Sequence, residues 1–306
     1  MRCIHYFDLV GCLENLQVRV TMNEDSETID TRDVSGESIH WDQDISYGSY
    51  LDLDELLSCQ NPRGNSHDEM MFVIIHQASE LWLKLCIHEI GAAMREVGQD
   101  NLRSAFKMLS RVSRIQGQLR QSWSILSTMT PVDYLSFRDD LGQSSGFQSF
   151  QYREIEYALG NKNAPLANVH RQNAERFERL QKVLASPSFY DLCLQHLARV
   201  GFDIPEEYLD RDWSKAYVPS ASVEAAWKQV YQRSADHWEQ YELAEKLVDL
   251  EHEFQMWRFS HMKTVERIIG YRKGTGGTSG VAFLEKALKL RFFPELWTVR
   301  TELEPE

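Results

Sequence analysis

The chain has 306 residues, with 33 Lys and Arg against 46 Asp and Glu, and its formal net charge of −13 argues against a nucleic-acid or anionic-membrane binder. A domain of this size buries about 75% of its unfolded surface, so a large core needs no staples. Cys3, Cys12, Cys59, Cys86 and Cys193 form no CxxC pair or disulfide framework, no secretory pattern opens the chain, and no window reaches about 18 apolar residues; a soluble cytoplasmic protein is the expectation.

In chain order, Met22 to Asp44 carries eight carboxylates and almost no apolar residue, so residues 1–39 read as an acidic, disordered arm and residues 40–306 as one helical domain. Ser66 and Glu69 spell a capping box opening a helix to about Val97, in which Met71, Ile74, Ile75, Ala78, Leu81, Trp82 and Leu85 share a broad face. A second helix follows Asp100, with Leu102, Phe106, Leu109, Val112, Leu119, Trp123 and Leu126 at helical spacing, and Thr130-Pro131 starts a short third. Shorter helices are expected at about 147–160, 172–185 and 188–200. Residues 222–271 contain no Pro and a single Gly, and there Leu243, Leu247, Leu250, Phe254, Trp257, His261, Thr264 and Ile268 recur at alternating spacings of four and three, a bundle seam with a histidine inside it. No alternating run is long enough to predict a sheet, so the fold class is mostly α, a single helical bundle.

Motif matching mostly eliminates. HExxH is absent, and the two Glu-x-x-His motifs that a di-iron bundle needs do not occur, Glu37 to His40 being the single match. Gly142-Gln143-Ser144-Ser145-Gly146 satisfies G-x-S-x-G, but the preceding Tyr134 to Leu141 is not the buried strand a nucleophile elbow needs, and the stretch reads as a turn. Gly274 to Gly280, with four glycines and three hydroxyls ahead of an apolar helix at 281–290, reads either as an anion-receptive helix start or as a plain linker. His76 and His261 lie in apolar helices, where an imidazole is either a core residue or a single axial ligand of a haem, whose porphyrin supplies the other four.

Taken together, certain segments resemble a known family. They are Tyr47 to Leu51, His67 to Phe72, His76-Gln77 with Ser79 to Lys84, Phe137-Arg138-Asp139 with Ser144 to Ser149, Trp257-Arg258-Phe259 with His261-Met262, and the Gly274 to Gly280 loop. From Tyr47 to Arg300 the chain is similar to bacterial tryptophan 2,3-dioxygenases. The resemblance implies an α-helical homotetramer with one haem b per chain, which inserts O2 across the C2–C3 bond of L-tryptophan to give N-formyl-L-kynurenine. It implies that His261 is the axial iron ligand and that His76 accepts the indole N–H as the catalytic histidine. Phe72, Tyr134, Leu141 and a neighbouring chain's Tyr47 would wall the indole, with Tyr50 close by. Arg138 and Thr275 would hold the substrate carboxylate, and Ser145, Gly146 and Trp123 would line the haem. Two other classes stand beside this one: a related haem-dependent aromatic hydroxylase or dioxygenase of a modified indole, and a non-catalytic helical scaffold.

Overall fold

The computed structural model describes residues 28–29, 39–40 and 45–304, and the chain divides into two units, residues 1–60 and 61–306. In the first unit, β1 (Thr28–Ile29) pairs antiparallel with β2 (Ile39–His40), Thr28 opposite His40. The rest of the expected acidic arm, residues 1–27 and 30–38, lies outside the described residues. Two short helices follow, α1 (Tyr47–Tyr50) and α2 (Leu53–Ser58). Ser46 caps α1, its hydroxyl accepting from the Ser49 amide at 3.1 Å while the Ser49 hydroxyl accepts from the Ser46 amide at 2.9 Å. Neither helix buries a residue.

The second unit is built on three long helices: α3 (His67–Gly98), α4 (Leu102–Leu126) and α11 (Trp238–Ile269). Between them, and before the chain ends, come α5 (Pro131–Phe137), α6 (Phe150–Leu159), α7 (Ala174–Leu184), α8 (Phe189–Arg199), α9 (Glu206–Leu209), α10 (Ala221–Gln232), α12 (Val281–Ala287) and α13 (Pro294–Glu302). Leu83, Cys86, Ile90, Ala93 and Val97 of α3 recur every three to four residues and bury against Leu109, Val112 and Leu119 of α4 and the seam residues Leu243, Leu247, Leu250 and Phe254 of α11. The seam therefore faces the core, with Ile268 and Thr264 also buried near its end.

Three local expectations are corrected. The face read on α3 from Met71 to Leu85 is not the one that packs inward: Ile74 and Leu81 are exposed, and the buried stripe runs through Leu83, Cys86 and Ile90. Ser66 does stand at the start of α3, but without the capping box: its hydroxyl accepts from Ser136 at 2.8 Å, and the buried Glu69 carboxylate instead accepts the amides of Arg63 and Gly64 at 2.7 and 2.8 Å. A carboxylate in the first turn satisfies loop amides as readily as the cap amide, and here the loop folds back onto it. The stretch 222–271 is two helices, broken at Arg233 to His237, where Arg233 bonds Asp236 and the His237 ring packs on Phe202 at 4.9 Å. The last helix, α13, has no side-chain cap of its own. A remote carboxylate, Glu251 in the middle of α11, accepts the amides of Phe292 and Phe293 and the Trp297 indole N–H at 2.9, 3.1 and 2.8 Å.

Candidate functional site

At one end of the bundle a second, smaller cluster forms, in which Ile75, Leu126, Met129, Phe137 and Ile268 are buried and Phe72, Trp123, Tyr134 and Leu141 pack partly buried against them. His76 of α3 and His261 of α11 join it through aromatic contacts. The Phe72 and His76 rings lie 4.1 Å apart, His76 meets Trp123 edge-on at 6.5 Å, and Trp123 stacks on His261 at 4.6 Å and 12°. Trp257, one turn before His261, closes the group at 5.9 Å from that imidazole and 6.0 Å from Trp123.

Both imidazoles are held neutral. Burial pushes His261 down to about 4, and the nearby His76 adds to the effect. Burial also lowers His76, against the raising pull of its bond to the Phe72 carbonyl and of Glu80. His76 Nδ1 sits 2.7 Å from that carbonyl. A carbonyl can only accept, so Nδ1 carries the proton and Nε2 keeps its lone pair.

Beside the rings lies a polar rim. The Arg138 guanidinium donates through Nη2 to the Lys273 carbonyl at 3.1 Å, while its Nε is buried with no hydrogen-bond partner. Burial raises the Tyr134 phenol, and the charge of Arg138 partly opposes this. Gly274 to Gly280 is an ordered turn, with Gly277 N–H on the Gly274 carbonyl at 3.0 Å and Gly274 N–H on the Thr278 carbonyl at 3.2 Å. It abuts the Ser144 to Gly146 segment: Thr275 donates its hydroxyl to the Ser144 carbonyl at 2.5 Å, and a Cβ on Gly276 would stand 2.7 Å from Ser145 Cβ. Only glycine allows that approach. The expected apolar helix after the loop is the seven-residue α12, shorter than 281–290.

The indole N–H groups of Trp123 and Trp257 are also buried and unpartnered. Three buried donors without acceptors at one end of a well-packed bundle mark a place prepared for a further polar group. Among the described residues, no group of three or more His, Cys, Asp or Glu could hold a bare metal ion. A lone neutral imidazole in aromatic surroundings suits a metal that brings its other ligands with it. The structure thus gathers Phe72, His76, Trp123, Tyr134, Leu141 and His261, and links Arg138 to the loop carrying Thr275 and thence to Ser144-Ser145-Gly146. Tyr47 and Tyr50 belong to the first unit and are 73% and 76% exposed. Sequence reasoning gave Trp257 no role; its position four residues before His261 on the same seam was the available signal.

A family model described as Tryptophan 2,3-dioxygenase matches residues 34–187 and 184–303. The chain belongs to the tryptophan 2,3-dioxygenase family. Among the similar members of the tryptophan 2,3-dioxygenase family, one from Bacillus thuringiensis subsp. konkukian (strain 97-27) is 54% identical over 267 residues, covering 87% of this chain and 96% of the relative. One from Ralstonia pickettii (strain 12J) is 52% identical over 265 residues, 87% of this chain and 95% of the relative. One from Erythrobacter litoralis (strain HTCC2594) is 56% identical over 261 residues, 85% of this chain and 99% of the relative. All three are named tryptophan 2,3-dioxygenase.

Proposed function

We propose that this chain is a haem-dependent dioxygenase that adds both atoms of O2 across the indole C2–C3 bond of L-tryptophan, giving N-formyl-L-kynurenine. Membership of the family supports the activity, and the observation that carries the site is the pair of neutral imidazoles, His76 and His261, in one aromatic cluster edged by orphaned donors. The residues fit a haem b: His261 would hold its iron, Trp123, Ser145 and Gly146 would help to hold the group, and the unpartnered indole N–H groups favour an acceptor nearby. A bound ferrous haem supplies the binding and activation of O2 that no side chain offers.

The chain's own contribution is positioning. His76 Nε2 would accept the indole N–H, its ring fixed by the Phe72 carbonyl. Nothing in this arrangement requires His76 to remove that proton outright. Phe72, Tyr134 and Leu141 would wall the indole and exclude water. Arg138, with one nitrogen on the Lys273 carbonyl and a free buried Nε, would hold the substrate carboxylate through a charge-assisted bond. Thr275 would add to it once its hydroxyl turns from the Ser144 carbonyl.

A homotetramer whose pockets are completed by a neighbour's Tyr47, with Tyr50 close by, is consistent with the exposure of both rings. An 18-residue window within α3 is apolar enough to cross a membrane, with mean hydropathy 1.3, but the helix also supplies the core with Leu83, Cys86, Ile90, Ala93 and Val97. Its outward Met70, Ile74 and Leu81 are exposed and suit cover by another copy. A cytoplasmic enzyme with an acidic arm over residues 1–39 and its catalytic domain over 40–306 completes the reading. The test is a visible spectrum of the purified protein with and without L-tryptophan, followed by the product mass. A Soret band that responds to tryptophan and a gain of two oxygens are expected; a gain of one, or no Soret band, refutes the proposal.

A further inference from the structure

One buried cation ties together three segments that are far apart in sequence. Arg258, on α11 and one turn before His261, is 4% exposed. Its Nε donates to the Tyr152 hydroxyl at 3.1 Å, its Nη2 to Glu156 Oε1 at 2.6 Å and its Nη1 to the Ala287 carbonyl at 3.2 Å. Tyr152 and Glu156 are on α6, which Ser149 caps directly after the Ser145-Gly146 segment. Ala287 ends α12, which begins at the residue after Gly280. Phe147 and Phe283 meet edge to face at 5.5 Å, joining those two segments directly. On its fourth side the group reaches the imidazole, since the Tyr152 ring packs on Trp257 at 5.3 Å and Trp257 on His261 at 5.9 Å.

We propose that Arg258 is a positioning residue that holds the Gly274 to Gly280 loop and the Ser145-Gly146 segment in register with His261. It touches neither substrate nor cofactor and acts through α6 and α12. The planar guanidinium suits the task because it donates in three directions at once from a fixed fork, whereas an ammonium on a flexible stem cannot span the same three acceptors. Glu156 is shared by two buried cations, its Oε1 pairing with Arg258 and its Oε2 with Arg153, and the Arg153 guanidinium also lies over the Phe147 and Tyr152 rings, 5.7 Å from each centroid. The role in catalysis rests on the function proposed above; the role in ordering the loop does not.

The test uses the intact holoprotein. Arg272 and Lys273 are exposed at the mouth of the glycine loop, so tryptic cleavage after them, followed by mass spectrometry, reports how often the loop opens. Arg258→Lys retains a cation for Glu156 but should speed cleavage there about tenfold, and should raise KM for L-tryptophan about tenfold with a smaller change in kcat and unchanged haem content. Arg300→Lys is the control. It disturbs another partly buried guanidinium, paired with Glu245 and Tyr231, and should leave cleavage at the loop as in wild type. Equal acceleration in both variants, or none in Arg258→Lys, overturns the proposal. Should Arg258→Lys not fold, Tyr152→Phe decides, since it removes only the acceptor of Nε: faster cleavage supports the role and wild-type cleavage refutes it. Cleavage is read without substrate, so a wild-type protein that failed to turn over tryptophan would refute the functional reading and leave this result standing.

Discussion

Two regions of the same bundle treat buried polar groups in opposite ways. Under the C-terminal helix, Glu251 accepts four N–H groups, those of Phe292, Phe293, Trp297 and the Gln255 side chain, and Glu295 accepts from Tyr190, Tyr217 and the Ser220 amide at 2.9, 2.6 and 2.8 Å. Around His76 and His261, Trp123, Trp257 and Arg138 each leave a buried donor without a partner. The first arrangement is a scaffold, since each carboxylate repays its desolvation through several bonds. The second is unfinished by protein alone, and so marks the place where a ligand completes the structure. Gln116 of α4 departs from this division, with both amide atoms buried and unpartnered inside the scaffold, and nothing in the structure explains it.

The contrast is most directly broken at His261. His261→Ala should lose most of the bound haem while far-ultraviolet circular dichroism stays near wild type; a full, unshifted Soret band would show that the axial ligand lies elsewhere. Arg138→Leu comes next. Removing a half-buried cation that faces a carboxylate should cost about 2 kcal/mol, on the order of thirtyfold in kcat/KM for L-tryptophan, while the value for tryptamine, which lacks the carboxylate, changes little. An equal loss for both substrates would make Arg138 part of the scaffold. On the scaffold side, Glu251→Gln replaces one acceptor oxygen by an NH2 group that faces two of the N–H donors, and should lower stability by about 2 kcal/mol, seen as a lower melting temperature with the Soret position unchanged.

The smallest effect is on pH. In the haem-free protein, His261 titrates at about 4, below its ordinary 6.5, so the unfolded chain binds more protons between those values. Apoprotein stability should therefore fall as pH drops through that window, by at most about 1.4 kcal/mol per pH unit, and His261→Ala should flatten the slope. His76, also held low by burial, should keep its Nε2 lone pair at pH values below 6.5, which places the acid limb of kcat/KM below that value.

Much of the helical frame was legible in the sequence because helical periodicity and capping are local. The α11 seam announced its buried face through Leu243, Leu247, Leu250 and Phe254, and Thr130-Pro131 marked the start of α5, where Thr130 and Asp133 do form a capping box. The same logic failed at Ser66, since a capping box and a carboxylate that collects loop amides have one spelling. No local signal marks the break at Arg233 to His237, which carries neither Pro nor Gly and is held by an ion pair and a ring contact with Phe202.

The sequence by itself determined which faces of α4 and α11 would be buried, and that two imidazoles would stand among aromatic residues, because a side chain's face follows from its position in the helical repeat; α3 is apolar on more than one face, so its sequence did not single out the buried one, and Ile74 and Leu81 are exposed. Only the tertiary structure decided that these imidazoles share one cluster, that burial holds both neutral, that the Phe72 carbonyl fixes the tautomer of His76 and that Thr275 reaches the Ser144 carbonyl. Those outcomes depend on how helices distant in sequence dock. Docking is set by the summed burial of many side chains, so no short motif contains it.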